Sequence, residues 1–254
     1  MAVTVTPPFR SSQLARGLDV LRAFRQARES QLTLTQLANL VGLPKSTVLR
    51  LTRELVAADL LRRNGKTYSL ALTMFELGHR VAVPAALREA ALPFMQDLYE
   101  QTHLVVHLAV RDGSDVVVVE RLRGRGAYEL PSALGVRLPL HLTALGKAMM
   151  AFSPPEDVRN LLASPQSRRP GLERGHLMAE LADARRTGVA YDHEGYLRGL
   201  RCAAAPIVDE HGWAGGAMSV SAYNRRSFDA RRLGGHVRGA AAMASREARV
   251  RPAW

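Results

Sequence analysis

The chain has 254 residues, 47% of them hydrophobic and 6% aromatic, with 35 basic and 23 acidic side chains and a formal net charge of +12. This length predicts two domains, and the positive charge favours a polyanionic partner such as nucleic acid. A single cysteine, Cys202, excludes an intrachain disulfide, and no apolar run reaches the ~18 residues needed to cross a bilayer. Residues 1–10 show no signal sequence, so we expect a cytoplasmic protein that does not engage a membrane.

The positive charge is concentrated near the N terminus. Residues 1–80 carry 12 basic and 5 acidic side chains, against 23 and 18 in residues 81–254. A generally arginine-rich chain would spread this surplus evenly, so the asymmetry favours a nucleic-acid-binding face in the first third. Residues 1–10 themselves are expected to form a disordered arm.

Two helices are predicted after this arm. The first begins at Ser12, runs to about Arg28, and carries a mostly apolar stripe that consists of Leu14, Leu18, Leu21 and Arg25, with Phe24 beside it. The second begins with a capping box between Thr33 and Gln36. It ends at Gly42, because the chain must turn there at positive φ.

A third helix, over residues 44–58, has two distinct faces. Its inner face is apolar and consists of Val48, Leu51 and Leu55. Its outer face and first turn carry hydroxyl and basic groups, from Lys45, Ser46, Thr47, Arg50 and Arg53. Such groups at the positive end of a helix dipole suit DNA phosphates and guanine edges.

A basic hairpin follows the third helix. Asn64-Gly65 is predicted at its tip, because both central residues of a type I′ turn need positive φ. Arg62, Arg63 and Lys66 crowd this tip, and we count Arg63 and Lys66 among the predicted DNA contacts. Three helices and a hairpin predict a winged helix-turn-helix over residues 11–71, with the third helix in the major groove of double-stranded DNA. A winged helix used only for protein contacts is the alternative, and the outward arginines disfavour it.

The run Lys45-Ser46-Thr47 also suggests a nucleotide phosphate loop. Such a loop needs glycine directly before the lysine and another glycine five residues earlier, where this chain has Pro44 and Asn39. Proline lacks the amide donor that the loop needs, and the preceding segment is predicted as a helix rather than a strand. The sequence therefore argues against a phosphate loop.

A linker helix over residues 72–84 is expected to end at Pro84, and residues 85–254 to form a second domain. This second domain would begin with a helix over residues 85–101 that bends near Pro93. Two hairpins are predicted, from strands at 103–111, 115–122, 201–208 and 214–222. Helices are predicted near 143–152, 155–163, 176–188 and 227–248. The fold class is therefore α+β, with helices packed on a largely antiparallel sheet.

Catalytic and metal-binding patterns are sparse in this second domain. His103 and His107 stand four apart in a strand-like run, without the glutamate of a zinc-binding helix, so ordinary strand histidines are expected. Cys202 has no local signature of an activated nucleophile and is predicted to be a small buried thiol. We expect no cofactor and no metal. An enzyme acting on a small acid with Cys202 as nucleophile is kept as the alternative function.

Six segments, in their order and spacing, resemble the IclR family of bacterial transcriptional regulators over nearly the whole chain. They are SSQLARGLDVLRAF, LTLTQLANLVGLPKSTVLRLTREL, GKTYSLALTMFELG, RLPLHLTALGKAMMA, GVAYDHEGYLRGLRCAAAPIVDEHG and AMSVSA. The resemblance implies a non-enzymatic regulator, a repressor or one with a dual role, that binds a palindromic operator as a homodimer or a tetramer of two dimers. Its second domain would sense a small organic acid from carbon or aromatic catabolism, for example an aromatic carboxylate.

The resemblance also implies which residues bind this effector. They are Ala144, Leu145, Asp192, Cys202, Ser219 and Ser221. Ser219 and Ser221 are two apart on a predicted strand, so both hydroxyls would face one side. Arg137, His141 and Arg201 stand close to these motifs and are candidates to pair with a carboxylate; of these we include His141 in the predicted site.

The chain departs from the family pattern at two positions. Gly195 replaces an acidic residue, and Leu145 is bulky where sensors of small acids tend to have a small residue. Leu145 would narrow the site or give an aromatic ring an apolar wall. We expect effector binding to act on the DNA-binding heads through the linker helix, as a shift between populated states.

Overall fold

The sheet-and-helix pattern predicted for the two halves of the chain is present in the computed structural model. It describes residues 12–27, 29–124, 133–163, 173–223 and 228–249. The chain divides into two units, one ending at Val81 and the other beginning at Ala82. The predicted arm, residues 1–10, lies outside the described residues.

The first unit contains four helices and three short strands among its described residues. They are α1 (Gln13–Gln26), β1 (Leu32–Thr33), α2 (Leu34–Val41), α3 (Lys45–Ala57), β2 (Leu61–Asn64), β3 (Thr67–Leu70) and α4 (Leu72–His79). The strands form an antiparallel sheet in the order β1-β3-β2. Three helices followed by a hairpin confirm the predicted winged helix-turn-helix.

The local signals at the ends of α2 are confirmed. The Thr33 hydroxyl accepts a hydrogen bond from the Gln36 amide, and the Gln36 side chain accepts one from the Thr33 amide, so the capping box is complete. Gly42 ends the helix with φ +67°, in the left-handed region that favours glycine. These contacts fix the tight turn between α2 and α3.

The predicted apolar stripe of α1 is wrong in part: Leu21 and Phe24 pack against the core of the first unit, but Leu14 and Leu18 do not. The helix buries Gly17, Val20 and Ala23, whereas Leu14 is 73% exposed and Leu18 is also exposed. Both sets of residues follow a helical period, so periodicity alone could not choose between them. The small residues Gly17 and Ala23 lie on the buried face, and Leu14 and Leu18 face outward.

The turn of the wing also differs from the prediction. Asn64 pairs directly with Thr67, so the two central residues are Gly65 and Lys66 rather than Asn64 and Gly65. Only Gly65 has positive φ in this turn, at +61°. Glycine in the first central position is typical of a type II′ turn, which also matches the twist of the flanking strands.

The second unit is built around one antiparallel sheet of six strands. Its elements are α5 (Ala82–Thr102), β4 (Val105–Asp112), β5 (Asp115–Leu122), β6 (Arg137–Pro139), α6 (Ala144–Ala151), α7 (Pro155–Ala163), α8 (Arg174–Thr187), β7 (Ala190–His193), β8 (Arg201–Val208), β9 (Ala214–Ala222) and α9 (Ala230–Arg249). The strand order is β6-β5-β4-β9-β8-β7. Both predicted hairpins are present, and the α+β class is confirmed. The short edge strands β6 and β7 were not predicted.

The boundary between the units differs from the predicted linker helix. α4 ends at His79, and a separate helix, α5, begins at Ala82. Pro84 therefore does not end a helix but lies in the first turn of α5, where its missing N–H has no helical partner to lose.

Helices cover both faces of this sheet. α5 and α9 pack on one face, against side chains such as Leu108, Ala203 and Val220. α6 and α8 pack on the other face, against side chains such as Ala109 and Ala204. In the part of the chain that the structure describes, no helix is both long and apolar enough to cross a membrane.

Candidate functional site

The outer face of α3 lies as the helical period predicts. Val48 and Leu51 are buried in the core of the first unit, together with Leu55. The exposed side consists of Lys45, Ser46, Arg50 and Arg53, and Thr47 is half-buried beside them. Pro44 precedes the helix without a side-chain cap on its first-turn amides. This end of α3 therefore combines cations, a hydroxyl and backbone N–H groups, which suits a phosphate.

The tip of the wing is exposed and basic. Arg62, Arg63 and Lys66 are all exposed, and the Arg63 Nε donates a hydrogen bond to the Gly65 carbonyl at 3.1 Å. This bond holds the Arg63 side chain along the turn. The predicted contacts Arg63 and Lys66 thus lie on one short hairpin, separate from those of α3.

One acidic side chain stands among the cations of α3. The Glu54 carboxylate lies 3.1 Å from a guanidinium nitrogen of Arg50, one helical turn earlier. The Gln13 amide from α1 donates to both oxygens of the same carboxylate, at 2.8 and 2.7 Å. Glu54 therefore holds Arg50 in place and reduces its charge towards an approaching phosphate.

In the second unit, a cavity lies between α6 and the sheet. The empty space at this site, open solvent included, amounts to about 470 Å³. Its polar lining consists of His107, Thr143, Asp192, Tyr196, Cys202, Ser219 and Ser221. Its apolar lining consists of Val118, Leu138, Ala144, Leu145 and Leu200. Apolar walls with a few convergent polar groups are typical of a small-molecule site.

The strand register explains why distant residues meet here. Ser221 lies opposite Cys202, which in turn lies opposite Asp192, so one row crosses β9, β8 and β7. Ser219 lies opposite His107 on β4 in a second row. Directly opposed residues share one face of a sheet, so both rows point towards α6. The Cys202 sulfur and the Ser221 hydroxyl are 3.2 Å apart.

The start of α6 lines the side of the cavity opposite the sheet. The Thr143 side chain caps the helix by accepting from the Gly146 amide at 3.1 Å. No carbonyl within the helix can reach the amides of Ala144 and Leu145 in this first turn. A Cβ on Gly146 would lie 1.9 Å from the Leu140 carbonyl oxygen, so only glycine permits this close approach.

Asp192 is a buried acid at the cavity wall. It is 1% exposed, and one carboxylate oxygen accepts from the Gly195 amide at 2.7 Å. Burial raises the pKa of Asp192, while the hydrogen bond from Gly195 and the charge of Lys147 oppose the rise. Gly195 stands where the family pattern has an acidic residue, and its backbone amide donates a hydrogen bond to the Asp192 carboxylate.

Two further groups that line the cavity, the Cys202 thiol and the His107 ring, stay uncharged at neutral pH because removal from water disfavours their charged forms. Burial raises the pKa of the Cys202 thiol to about 12 and lowers the pKa of His107 to about 4, with Arg121 adding to the second effect. By its exposed surface Cys202 is half-buried, so the expected buried thiol is confirmed only in part. His103 is not in the strand as expected, but follows α5 with φ +52° and packs edge-on against Tyr99.

The cations near the cavity are already paired. Lys147 on α6 is buried, and its ammonium group lies 2.6 Å from Glu180 on α8. Arg137 binds Asp112, and Arg201 lies 3.8 Å from Glu194, on the sheet face opposite to that of Cys202. No lysine or arginine is among the described residues that line the cavity.

Six of the seven residues predicted for the effector site line this cavity: Ala144, Leu145, Asp192, Cys202, Ser219 and Ser221. His141 is buried in the turn before Thr143 and is not among the lining residues. His107 was not predicted for the site, although its position opposite Ser219 follows once the strands pair. Tyr196 and Leu200 were not predicted either, because they come from an irregular loop that carries no periodic signal.

Comparisons with known proteins agree with both units. The profile of the IclR helix-turn-helix domain matches residues 13–65. The profile of the bacterial transcriptional regulator IclR C-terminal domain matches residues 79–246.

Individual relatives extend over most of the chain. The HTH-type transcriptional regulator XynR of Escherichia coli is 32% identical, over 85% of this chain and 87% of its own. The transcriptional repressor IclR of the same organism is 30% identical, over 91% of this chain and 87% of its own. An IclR homologue from Microbacterium hydrocarbonoxydans, crystallised with 4-hydroxybenzoate, is 26% identical. It superposes with a TM-score of 0.81, over 94% of this chain and all of its own.

Proposed function

The chain belongs to the IclR family of bacterial transcriptional regulators, and we propose that it binds a palindromic operator with an affinity set by a small organic acid in the cavity under α6. The observation that carries the DNA-binding part is the division of α3 into two faces. Val48 and Leu51 are fixed in the core, so Ser46, Arg50 and Arg53 project outward together. Hydroxyls and guanidiniums in this arrangement suit the major groove.

The proposed DNA contacts divide between the two basic elements. Lys45, Ser46 and Thr47 would hold backbone phosphates at the start of α3, and Arg50 and Arg53 would reach bases or phosphates. Arg63 and Lys66 on the wing would contact the backbone or the minor groove. In a symmetric dimer, half-sites would lie ~34–36 Å apart or at a multiple of that distance.

A homodimer is supported by an apolar surface on the first unit. Leu14 of α1 is exposed, and so are Leu72, Phe75 and Leu77 of α4. Several large exposed apolar side chains on two helices favour burial against a partner. We propose that a second copy of the chain covers these side chains, with pairing of dimers into a tetramer as the alternative assembly.

The proposed effector is a small carboxylate, with an aromatic acid favoured. First-turn amides of α6 and the hydroxyls of Ser219 and Ser221 are neutral donors that suit a carboxylate. Leu138, Leu145 and other apolar side chains would contact a ring. The relative that binds 4-hydroxybenzoate supports this class of ligand, and with it a role in aromatic catabolism, as a repressor or a dual regulator.

The enzyme alternative receives no support from the cavity. A nucleophilic cysteine must be a thiolate, and burial raises the pKa of Cys202 to about 12, so the thiol stays protonated at neutral pH. His107 faces the same cavity from β4, yet its partner across the strands is Ser219 rather than Cys202. We therefore propose that Cys202 contributes to ligand packing and not to turnover.

Salt-dependent DNA binding tests the proposal. Fluorescence anisotropy on a labelled duplex should show Arg53→Ala binding more weakly than the parent, with a salt slope flatter by about 0.9 for each phosphate that Arg53 neutralises. Arg186→Ala is the matched control, because it removes one exposed positive charge from α8 in the second unit. Equal effects of the two substitutions would show that only net charge matters and would refute the assigned face.

A further inference from the structure

The carboxylate of Asp192 lies beside the start of α6. One of its oxygens accepts from the Gly195 amide at 2.7 Å, and a Cβ on Gly195 would lie 3.7 Å from the Leu142 carbonyl oxygen. Leu142 directly precedes Thr143, the N-cap of α6. A ligand carboxylate held by the amides of Ala144 and Leu145 would therefore come close to the carboxylate of Asp192.

Few of the groups around Asp192 carry a positive charge that could balance a bound ligand carboxylate. The groups that face Asp192 from the neighbouring elements are Lys147 of α6, Cys202 of β8, Tyr196 of the following loop and, across the cavity, His107 of β4. His193, next to Asp192 on β7, stacks on Tyr191 on the opposite face. Lys147 is the one cation in this set that does not depend on protonation of a histidine, and Glu180 of α8 already binds it at 2.6 Å.

An ionised ligand would bring the local charge to three carboxylates against one ammonium group. Two carboxylates that share a water-poor site do not both stay ionised, because each raises the pKa of the other. Burial already raises the pKa of Asp192 before any ligand is present, and a carboxylate bound beside it would raise that pKa further.

We propose that an anionic effector binds in this cavity together with one proton. Asp192 holds this proton, and its O–H donates a hydrogen bond to the effector carboxylate. This inference rests on the proposed function, since it requires a carboxylate ligand. It deepens that function, because the site then selects a carboxylate that can accept an O–H donor, without an ion pair to arginine or lysine. Between the pKa values of free and bound Asp192, the dissociation constant rises about tenfold for each unit of pH.

Calorimetry of the intact protein tests the proposal without any substitution. The ligands are 4-hydroxybenzoate, benzoate and pyruvate, each titrated at one pH in two buffers with different enthalpies of ionisation. The difference in binding heat between the buffers gives the number of protons taken up. We expect uptake close to one proton per site, and an affinity that falls as the pH rises from 6.5 to 7.5. Zero uptake by a ligand that binds would overturn the inference.

Two substitutions locate the proton. Asp192→Asn keeps the shape but cannot be protonated, so acids should bind it without proton uptake and with little dependence on pH. His107→Gln should retain the uptake; loss of uptake there would assign the proton to His107 and refute our assignment. If none of the three acids binds the parent protein in calorimetry or raises its melting temperature, acid sensing itself fails and the inference falls with it.

Discussion

Lowering the pH should destabilise the second unit through His107. This ring is 4% exposed, and burial lowers its pKa from an ordinary 6.5 to about 4. Below pH 6.5 the unfolded chain binds a proton that the folded ring binds only near pH 4, so the stability is complete above 6.5 and falls progressively between these two values. Between pH 7 and pH 5, protonation of the unfolded chain alone therefore costs the folded state about 2 kcal/mol.

The measurement is urea unfolding followed by tryptophan fluorescence. The chain has two tryptophans, so a Trp254→Phe background leaves Trp213 as the single reporter of the second unit. Other acid-sensitive groups also contribute, so the comparison is between the parent and His107→Gln at pH 7 and pH 5. We expect the parent to lose about 2 kcal/mol more than this variant.

The control replaces an exposed histidine. His176→Gln, on α8, removes an exposed ring near Glu180, and this variant should keep the parent's extra loss relative to His107→Gln. If His107→Gln matched the parent, burial would not be holding the ring neutral. The same result would remove the argument that an uncharged His107 faces the ligand.

Three further substitutions test other parts of the structure. Glu54→Gln should release Arg50, strengthen binding to random duplex DNA and steepen the salt slope by about 0.9 per head in anisotropy titrations; an unchanged slope would contradict the pairing. Gly146→Ala would place a Cβ 1.9 Å from the Leu140 carbonyl oxygen, so urea unfolding should show a loss of about 2–3 kcal/mol, and parental stability would disprove this close approach. Thr33→Ala removes the capping box of α2, and thermal unfolding of the first unit should show a loss of about 1 kcal/mol; retention of parental stability would mean that the cap is dispensable.

Much of the DNA-binding unit was predictable because its signals are local. A capping box, a glycine turn and an apolar face each involve residues within one or two helical turns, as the contacts of Thr33, Gly42 and Val48 show. The buried face of α1 was not predictable in this way. Two periodic stripes compete on that helix, and packing against the rest of the unit decides between Leu14 and Val20.

The cavity under α6 was predictable in part, for a different reason. Strand alternation alone places Ser219 and Ser221 on one face, but only the pairing of β9 with β8 and of β8 with β7 aligns them with Asp192. β7 has four residues, too few for a clear alternating pattern. The remaining site residues either meet through long-range strand pairing or lie in irregular loops, and neither has a local sequence signal. This explains why Tyr196 was not predicted.

The candidate cations Arg137 and Arg201 show the largest difference between the sequence-based expectation and the structure of the cavity. Arg137 and Arg201 stand close in sequence to the effector motifs, so they were natural candidates for a carboxylate. Neighbours in sequence point to opposite faces of a strand, and Arg201 is therefore turned away from the cavity that Cys202 lines. Our proposal that neutral donors and a shared proton bind an acid rests on that geometry.

We propose that an acid in the cavity controls DNA binding, and a titration of operator affinity with and without that acid shows whether it does. Purified protein would select fragments from the genomic DNA of its source, and anisotropy would measure its affinity for the selected fragment with and without saturating 4-hydroxybenzoate. We expect a shared palindromic motif and a change in affinity of about 5–150-fold, the usual range of coupling between sites. Fragments without a common motif, or an operator affinity that no bound acid alters, would contradict the account.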